Sequence, residues 1–244
     1  MENQIALLNE DGTVKSKEEF LKGIESVYEE MVAAYEEEEL KNMSSLELVS
    51  DPEAIIDVEA TLESFDFRQR SIFLTDEITQ DHANSVFEVI RFWNEIDRMD
   101  EIPKDEREPI RIYINTPGGD LDATFSIISS IKLSETPVHT VTIGTGYSGG
   151  FFIGISGHKR YGYPYSSYLF HEGSSMDGGD AHKFIQRTDF YKKQLARLKK
   201  LVIDNTKISS EQYDEYRKDD WFMEPEDALK YGVIDEIVKE GEII

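Results

Sequence analysis

Ser148 lies in the run Gly144-Thr145-Gly146-Tyr147-Ser148-Gly149-Gly150, between an apolar stretch at 138–143 that reads as a strand and one at 151–155 that reads as a helix. A serine on such a turn holds its hydroxyl clear of bulky neighbours. Small flanking residues let a carbonyl approach, and the unpaired amides of a helix start can stabilise the oxyanion that forms. Residues 146–150 also satisfy G-x-S-x-G, the pattern of a strained nucleophile turn. Glycines gather at strand-to-helix turns for steric reasons too, so the serine needs partners before it means anything. Asn115-Thr116-Pro117-Gly118-Gly119-Asp120, directly after another apolar strand, offers a second source of amides for the same oxyanion. Phosphate cradling is the competing use of such glycines, but the chain holds no G-x-x-x-x-G-K-[ST] element and so shows no site for ATP.

A base for the serine is available in His171, which follows Tyr168-Leu169-Phe170 at the C-terminal end of an apolar strand, where open α/β sheets place their ligands. An imidazole there can take the hydroxyl proton, although a histidine at a strand end also serves as a plain packing residue. The other histidines, His82, His139, His158 and His182, show no metal-binding spacing; His171-Glu172 does not extend to H-E-x-x-H, and there is no cysteine. No metal site is expected. Asp220, in Lys218-Asp219-Asp220-Trp221-Phe222, could be partly buried beside its aromatic neighbours, as an imidazole-orienting carboxylate must be. With 50 acidic residues in the chain, chemistry alone does not single it out.

These residues need a scaffold, and the pattern supplies one. Strands are expected at 71–74, 110–115, 138–143 and 167–170, with helical spacing at 83–98 and 123–133 between them. That alternation predicts βαβ units with right-handed crossovers. Residues 100–109 read as a charged surface loop with two prolines, and 181–205 as one long helix carrying seven of the 26 basic residues. Its apolar positions, Phe184, Tyr191, Leu195, Leu198 and Val202, predict a buried face or a subunit contact. Upstream, Ser16-Lys17-Glu18-Glu19 and Ser50-Asp51-Pro52-Glu53 read as helix starts. The chain therefore divides into an acidic helical extension, 1–64, and a domain, 65–244.

The 244 residues are 39% hydrophobic and 31% charged, as a soluble globular chain is. The formal charge of −24 repels phosphate backbones and anionic membranes, so neither nucleic acid nor a membrane is an expected partner. Residues 1–64 hold 18 acidic side chains against four lysines, so the extension carries more than half of that charge. Met1-Glu2-Asn3-Gln4-Ile5 does not read as a secretory leader, no apolar run approaches the roughly 20 residues that span a bilayer, and a cytoplasmic location is expected.

Together the segments resemble the ClpP serine peptidase family, the proteolytic subunit of the Clp protease. Gln69-Arg70-Ser71-Ile72-Phe73-Leu74 resembles its first strand, and Ile112-Tyr113-Ile114-Asn115-Thr116-Pro117-Gly118-Gly119 its Y-I-N-S-P-G-G motif. Tyr147-Ser148-Gly149-Gly150 stands where the family has A-S-M-G, and Leu169-Phe170-His171-Glu172 where it has M-I-H-Q. Asp220-Trp221-Phe222-Met223 with Glu226 to Asp235 resembles its ending, D-x-F-(M/L)-(S/T)-x-x-E-A-x-x-Y-G-(L/I)-(I/V)-D. The likeness covers roughly residues 67–238.

It implies an α/β fold, a ClpP/crotonase-like repeated ββα superhelix with a protruding handle helix at about 180–205. It implies Ser148 as nucleophile, His171 as base and Asp220 as orienting carboxylate, with the amides of Gly118 and Gly149 as the oxyanion hole. Gly119, Asp120 and Leu121 on one side, and Glu172, Gly173 and Ser174 on the other, would bind an extended substrate by strand addition. The implied activity is hydrolysis of unfolded polypeptides inside a homo-oligomeric chamber of two stacked heptameric rings. A separate AAA+ unfoldase would feed it and use the ATP; the subunit would need no cofactor.

The departures mark a divergent member, of the kind phages carry. Tyr147 and Gly149 replace a small residue and a methionine, which implies an altered subsite beside Ser148. Gly173 stands where proline is usual and Asp219 where arginine is common, which leaves Asp219, shifted by one residue, as the alternative partner of His171. Residues 1–64 do not resemble the family's short propeptide and axial loop. A silent ring or scaffold subunit and a crotonase-type acyl-CoA enzyme, which also pairs amides at an oxyanion, are the rival readings.

Overall fold

The computed structural model describes residues 67–173 and 180–241. The expected helices that begin near Ser16 and Ser50, and the expected substrate contact Ser174, lie outside the described residues. Of the described residues, those at 67–95, 103–173 and 180–241 belong to one compact unit, which carries the sheet.

The sheet is built from β1 (Ser71–Leu74), β2 (Ile110–Thr116), β3 (Val138–Tyr147), β4 (Lys159–Gly162) and β7 (Glu236–Ile237), in that order and parallel throughout. The connections are α1 (Gln80–Met99), α2 (Leu121–Leu133) and the short α3 (Gly149–Gly154). This is the expected α/β class. Ile110, Ile112 and Ile114 alternate along β2 and are fully buried, as are Ile127 and Ile131 of α2; burial of each such side chain contributes about 1.5–3 kcal/mol. On the other face of β2, Tyr113 stacks on Phe73 with centroids 4.9 Å apart.

β3 changes partner along its length. Residues 139–142 pair with β4, whereas Thr145, Gly146 and Tyr147 pair with β5 (Ser167–Phe170). Against β2 the register jumps, from Ile114 opposite Thr142 to Thr116 opposite Gly146. Asn115 fills the irregularity, its Oδ1 accepting from the Thr145 N–H at 2.9 Å. A Cβ at Gly144 would strike that side chain, so glycine is needed for the strand to turn here. The strand expected at 138–143 thus runs on to Tyr147 and delivers Ser148.

Three strands were not evident from the pattern: β4, β7 and β6 (Trp221–Met223), each four residues or fewer. β6 pairs antiparallel with β5. α4 (Ala181–Asn205), capped by Asp180, buries only Gln194, Leu198 and Val202. Of the two uses expected for its apolar positions, a buried face holds for Leu198 and Val202, with Tyr191 and Leu195 half-buried, whereas Phe184 is 45% exposed and Ile185 and Phe190 are exposed too. α5 (Ser210–Tyr216) and α6 (Pro225–Lys230) flank β6. Among the described residues no helix is long and apolar enough to cross a membrane.

Candidate active site

Ser148 has φ 52° and ψ −113°, a conformation that L-residues rarely adopt. Its N–H is donated to Leu169 O at 3.0 Å, the last bond of β3 to β5, and α3 begins at the next residue. The chain is thus held on both sides of a strained corner, the arrangement that presents a side chain outward. Bulk is excluded around it. A Cβ at Gly149 would lie 2.7 Å from Thr124 Oγ1, and one at Gly150 2.6 Å from Thr116 Cγ2.

As the first residue of α3, Gly149 offers an N–H with no intrahelical acceptor. The expected second amide, that of Gly118, is corrected by the structure: its N–H is donated to Thr116 Oγ1 at 3.1 Å. Gly118 has another duty. At φ 101° it turns the loop against the nucleophile, and a Cβ there would meet Ser148 Cβ at 2.7 Å and Gly149 N at 2.9 Å. The amide that faces the helix start is that of Gly119. Ile78 donates to Gly118 O, and Asp120 donates to Ile78 O, in a parallel bridge centred on Gly119. In such a bridge the central residue's own N–H points away from the partner strand, and Gly119 N lies 3.5 Å from where a Gly149 Cβ would be.

The acid and base are brought together by strand register. β5 and β6 pair Tyr168 with Met223, Leu169 with Phe222 and Phe170 with Trp221; one step further along this ladder sets His171 opposite Asp220. Asp220 Oδ1 lies 3.2 Å from His171 Nδ1, in place to hold the Nδ1 proton and leave Nε2 as the acceptor. Asp219 lies in the bend before β6, its N–H donated to Tyr216 O, and it is Asp220 that meets His171. Asp220 is 60% exposed, but its neighbour Trp221 is clamped between Tyr216, stacked at 4.2 Å, and Tyr231, edge-on at 4.9 Å.

Sequence reasoning missed Arg217. Its Nη1 lies 3.3 Å from Glu172 Oε2, and its carbonyl accepts from the Glu172 N–H. Glu172 sits against the fully buried Tyr213, whose phenol is pushed well above its ordinary pKa, by burial first and then by the Glu172 charge. An ion pair 45 residues apart has no local signature. Tyr147 also behaves differently from the expectation of an altered subsite. Its hydroxyl bonds Ser167 Oγ at 2.9 Å and its ring meets Phe222 edge-on, so it braces β3 against β5 and does not line the cavity at Ser148.

That cavity, about 520 Å³, touches Ser148, Gly149 and His171. Gly119, Asp120 and Leu121 border it on one side, and Glu172 and Gly173 on the other.

The Clp protease family model matches residues 56–241. The chain belongs to the Clp protease family. Its match to that family reaches back into the 1–64 stretch. Curated relatives agree. The chain is 28% identical over 180 residues to the ATP-dependent Clp protease proteolytic subunit of Streptococcus mutans, covering 72% of this chain and 88% of the relative. It is 29% identical over 184 residues to that of Streptococcus pyogenes, with the same coverage. This Clp family member is a serine endopeptidase.

Proposed function

We propose that Ser148 Oγ is the nucleophile of this endopeptidase, His171 its general base and Asp220 the carboxylate that orients the imidazole. The observation that carries the reading is the ladder of β5 and β6, which sets Asp220 against His171 at 3.2 Å on the rim of the cavity that holds Ser148. An extended polypeptide adds between the edges at Gly119–Leu121 and Glu172–Gly173. His171 Nε2 takes the hydroxyl proton as Oγ attacks the scissile carbonyl, and the amides of Gly119 and Gly149 receive the oxyanion. The imidazolium returns the proton to the departing amine. Water, activated by the same nitrogen, then cleaves the acyl-serine ester and frees the carboxylate product.

The subunit works as a homo-oligomer, on the family pattern two stacked heptameric rings, with α4 and its exposed Phe184, Ile185 and Phe190 as the contact. Unfolded polypeptide reaches the chamber from a separate AAA+ unfoldase that spends the ATP, as the names of the relatives imply. The subunit itself needs no cofactor or metal. Fluorophosphonate labelling of the assembled protein tests the triad: modification at Ser148, with loss of labelling and of peptide hydrolysis in Ser148→Ala, is the expected result. Intact assemblies that neither label nor cleave short unstructured peptides would leave a silent scaffold subunit instead.

A further inference from the structure

The two amides that receive the oxyanion are held in different ways. That of Gly149 takes its direction from α3. Gly119 belongs to a pair of glycines at φ 101° and 157°, and a peptide between two glycines turns over at little steric cost. Turned over, it would present the Gly118 carbonyl oxygen to the oxyanion in place of an N–H. Something must fix it.

The peptide is fixed through its carbonyl. Gly118 O accepts from the Ile78 N–H at 2.8 Å. In a trans peptide the carbonyl and the following N–H point in opposite directions, so the Gly119 N–H is turned away from Ile78 and toward the start of α3. Ile78 O in turn accepts from the Asp120 N–H at 2.9 Å. The aim of the donor is thus inherited from the backbone at 76–78, between β1 and α1.

That backbone is held by Thr116. The last residue of β2, it is fully buried and pairs with Gly146 of β3. Its hydroxyl has one proton and two lone pairs. The proton goes to Asp76 O, and a lone pair takes the Gly118 N–H at 3.1 Å. Gly118 O, at 3.5 Å, is the more distant acceptor and keeps its bond to Ile78. The methyl of Thr116 faces α3, where a Cβ at Gly150 would lie 2.6 Å from it. One side chain therefore ties the 76–78 backbone to the glycine pair and packs on the helix behind Ser148. It is not among the described residues that line the cavity at Ser148, so it acts without touching substrate.

We propose that Thr116 is a positioning residue for catalysis, its hydroxyl aiming the Gly119 amide at the oxyanion. The proposal rests on the assignment of Ser148, His171 and Asp220 above. Steady-state kinetics of the full-length assembled protein on one short peptide test it. Thr116→Val keeps the shape of the side chain and removes the hydroxyl, which leaves Asp76 O and the Gly118 N–H unpaired. Outright loss of one oxyanion donor costs about 10²–10³ in kcat. A loosened donor is expected to cost about tenfold or more in kcat, with KM within about twofold of the parent. Thr116→Ser keeps the hydroxyl, drops the methyl and should restore most of kcat. If the valine variant does not fold, Thr116→Ala against Thr116→Ser makes the same comparison with the methyl absent from both.

A peptide boronate gives a second readout. Boron accepts a lone pair of Ser148 Oγ as His171 takes the hydroxyl proton, and the anionic tetrahedral adduct sets an oxygen on the two amides. Its affinity should fall with kcat in Thr116→Val and recover in Thr116→Ser. A valine variant equal to the parent in kcat and boronate affinity, a loss confined to KM, or a serine variant as slow as the valine or alanine one overturns the proposal and leaves the triad standing. A parent protein that neither cleaves peptide nor takes up the boronate overturns the triad, and this proposal with it.

Discussion

Glu172 Oε2 lies 3.3 Å from Arg217 Nη1, so the two segments joined by His171 and Asp220 are joined a second time immediately beside them. Asp220 is mostly exposed, and an exposed aspartate does not hold an imidazole tautomer well without help. Glu172 is only 15% exposed, which makes its ion pair the firmer of the two. Arg217 is not among the described residues that line the cavity at Ser148, so its replacement separates positioning from binding. Arg217→Met should lower kcat by about three- to tenfold, on the order of 1 kcal/mol in the barrier, and leave KM nearly constant. Arg217→Lys should restore most of the rate. Steady-state kinetics on one short peptide decide it, and a change confined to KM would refute the positioning role.

Ser148 at φ 52° stores strain, of order 1–3 kcal/mol for a residue with a Cβ. Ser148→Ala keeps the Cβ and the strain, and should melt within about 0.5 kcal/mol of the parent while losing peptide hydrolysis. Ser148→Gly loses the hydrolysis too, but removes the strain at a cost of about 0.5–1 kcal/mol in unfolded-chain entropy. It should therefore melt above the alanine variant. Thermal unfolding of the two inactive proteins side by side reads this directly, and a glycine variant that melts lower would show that the corner is relaxed.

The parts of this architecture that could be read from residue order are those with local causes. The alternating isoleucines of β2 and the glycines around Ser148 each announce themselves over a few positions, and the motif order places Ser148 and His171. The family resemblance implies Gly118 as an oxyanion donor, but Gly118 and Gly119 are indistinguishable as letters; a hydrogen bond to Thr116 and a bridge to Ile78 tell them apart. The choice between Asp219 and Asp220 turned on the register of β6, three residues long and too short to show a period. Gln194 was one polar position on a helix, and only the packing of α4 on α2 gives it Asp122 as a neighbour.

His139, on β3, has its pKa brought down to about 4 from 6.5, by burial first and then by the positive charges of Arg111, Lys159 and His158. The folded protein thus binds this proton less readily than the unfolded chain. Stability from His139 is complete above pH 6.5, is lost as pH falls from there toward 4, and changes no further below. The side chain is partly exposed, so solvent screening reduces the effect to about 1 kcal/mol. His139→Gln should flatten the acid side of the stability curve by that amount. Urea unfolding at several pH values between 4 and 7 measures it, and an unchanged slope would assign the acid sensitivity to other groups.

Assembly sets apolar contact against charge. Phe184, Ile185 and Phe190 are exposed on α4, and burial of such side chains between copies contributes about 25 cal/mol per Å² whatever the ionic strength. Each subunit also carries −24, and neighbouring copies repel until salt shortens the range of the field to about 10 Å at 0.1 M and less above. The basic residues of α4, among them Lys183, Arg187, Lys192 and Lys193, could reverse this dependence if they pair with acids of another copy, since salt weakens such pairs. The net charge outweighs them: even residues 65–244 alone carry −10. Sedimentation should therefore show larger species as salt rises from low to physiological, and Phe190→Glu should remove them at every salt concentration. Rings that fall apart as salt rises would mean that ion pairs, not apolar side chains, hold the subunits together.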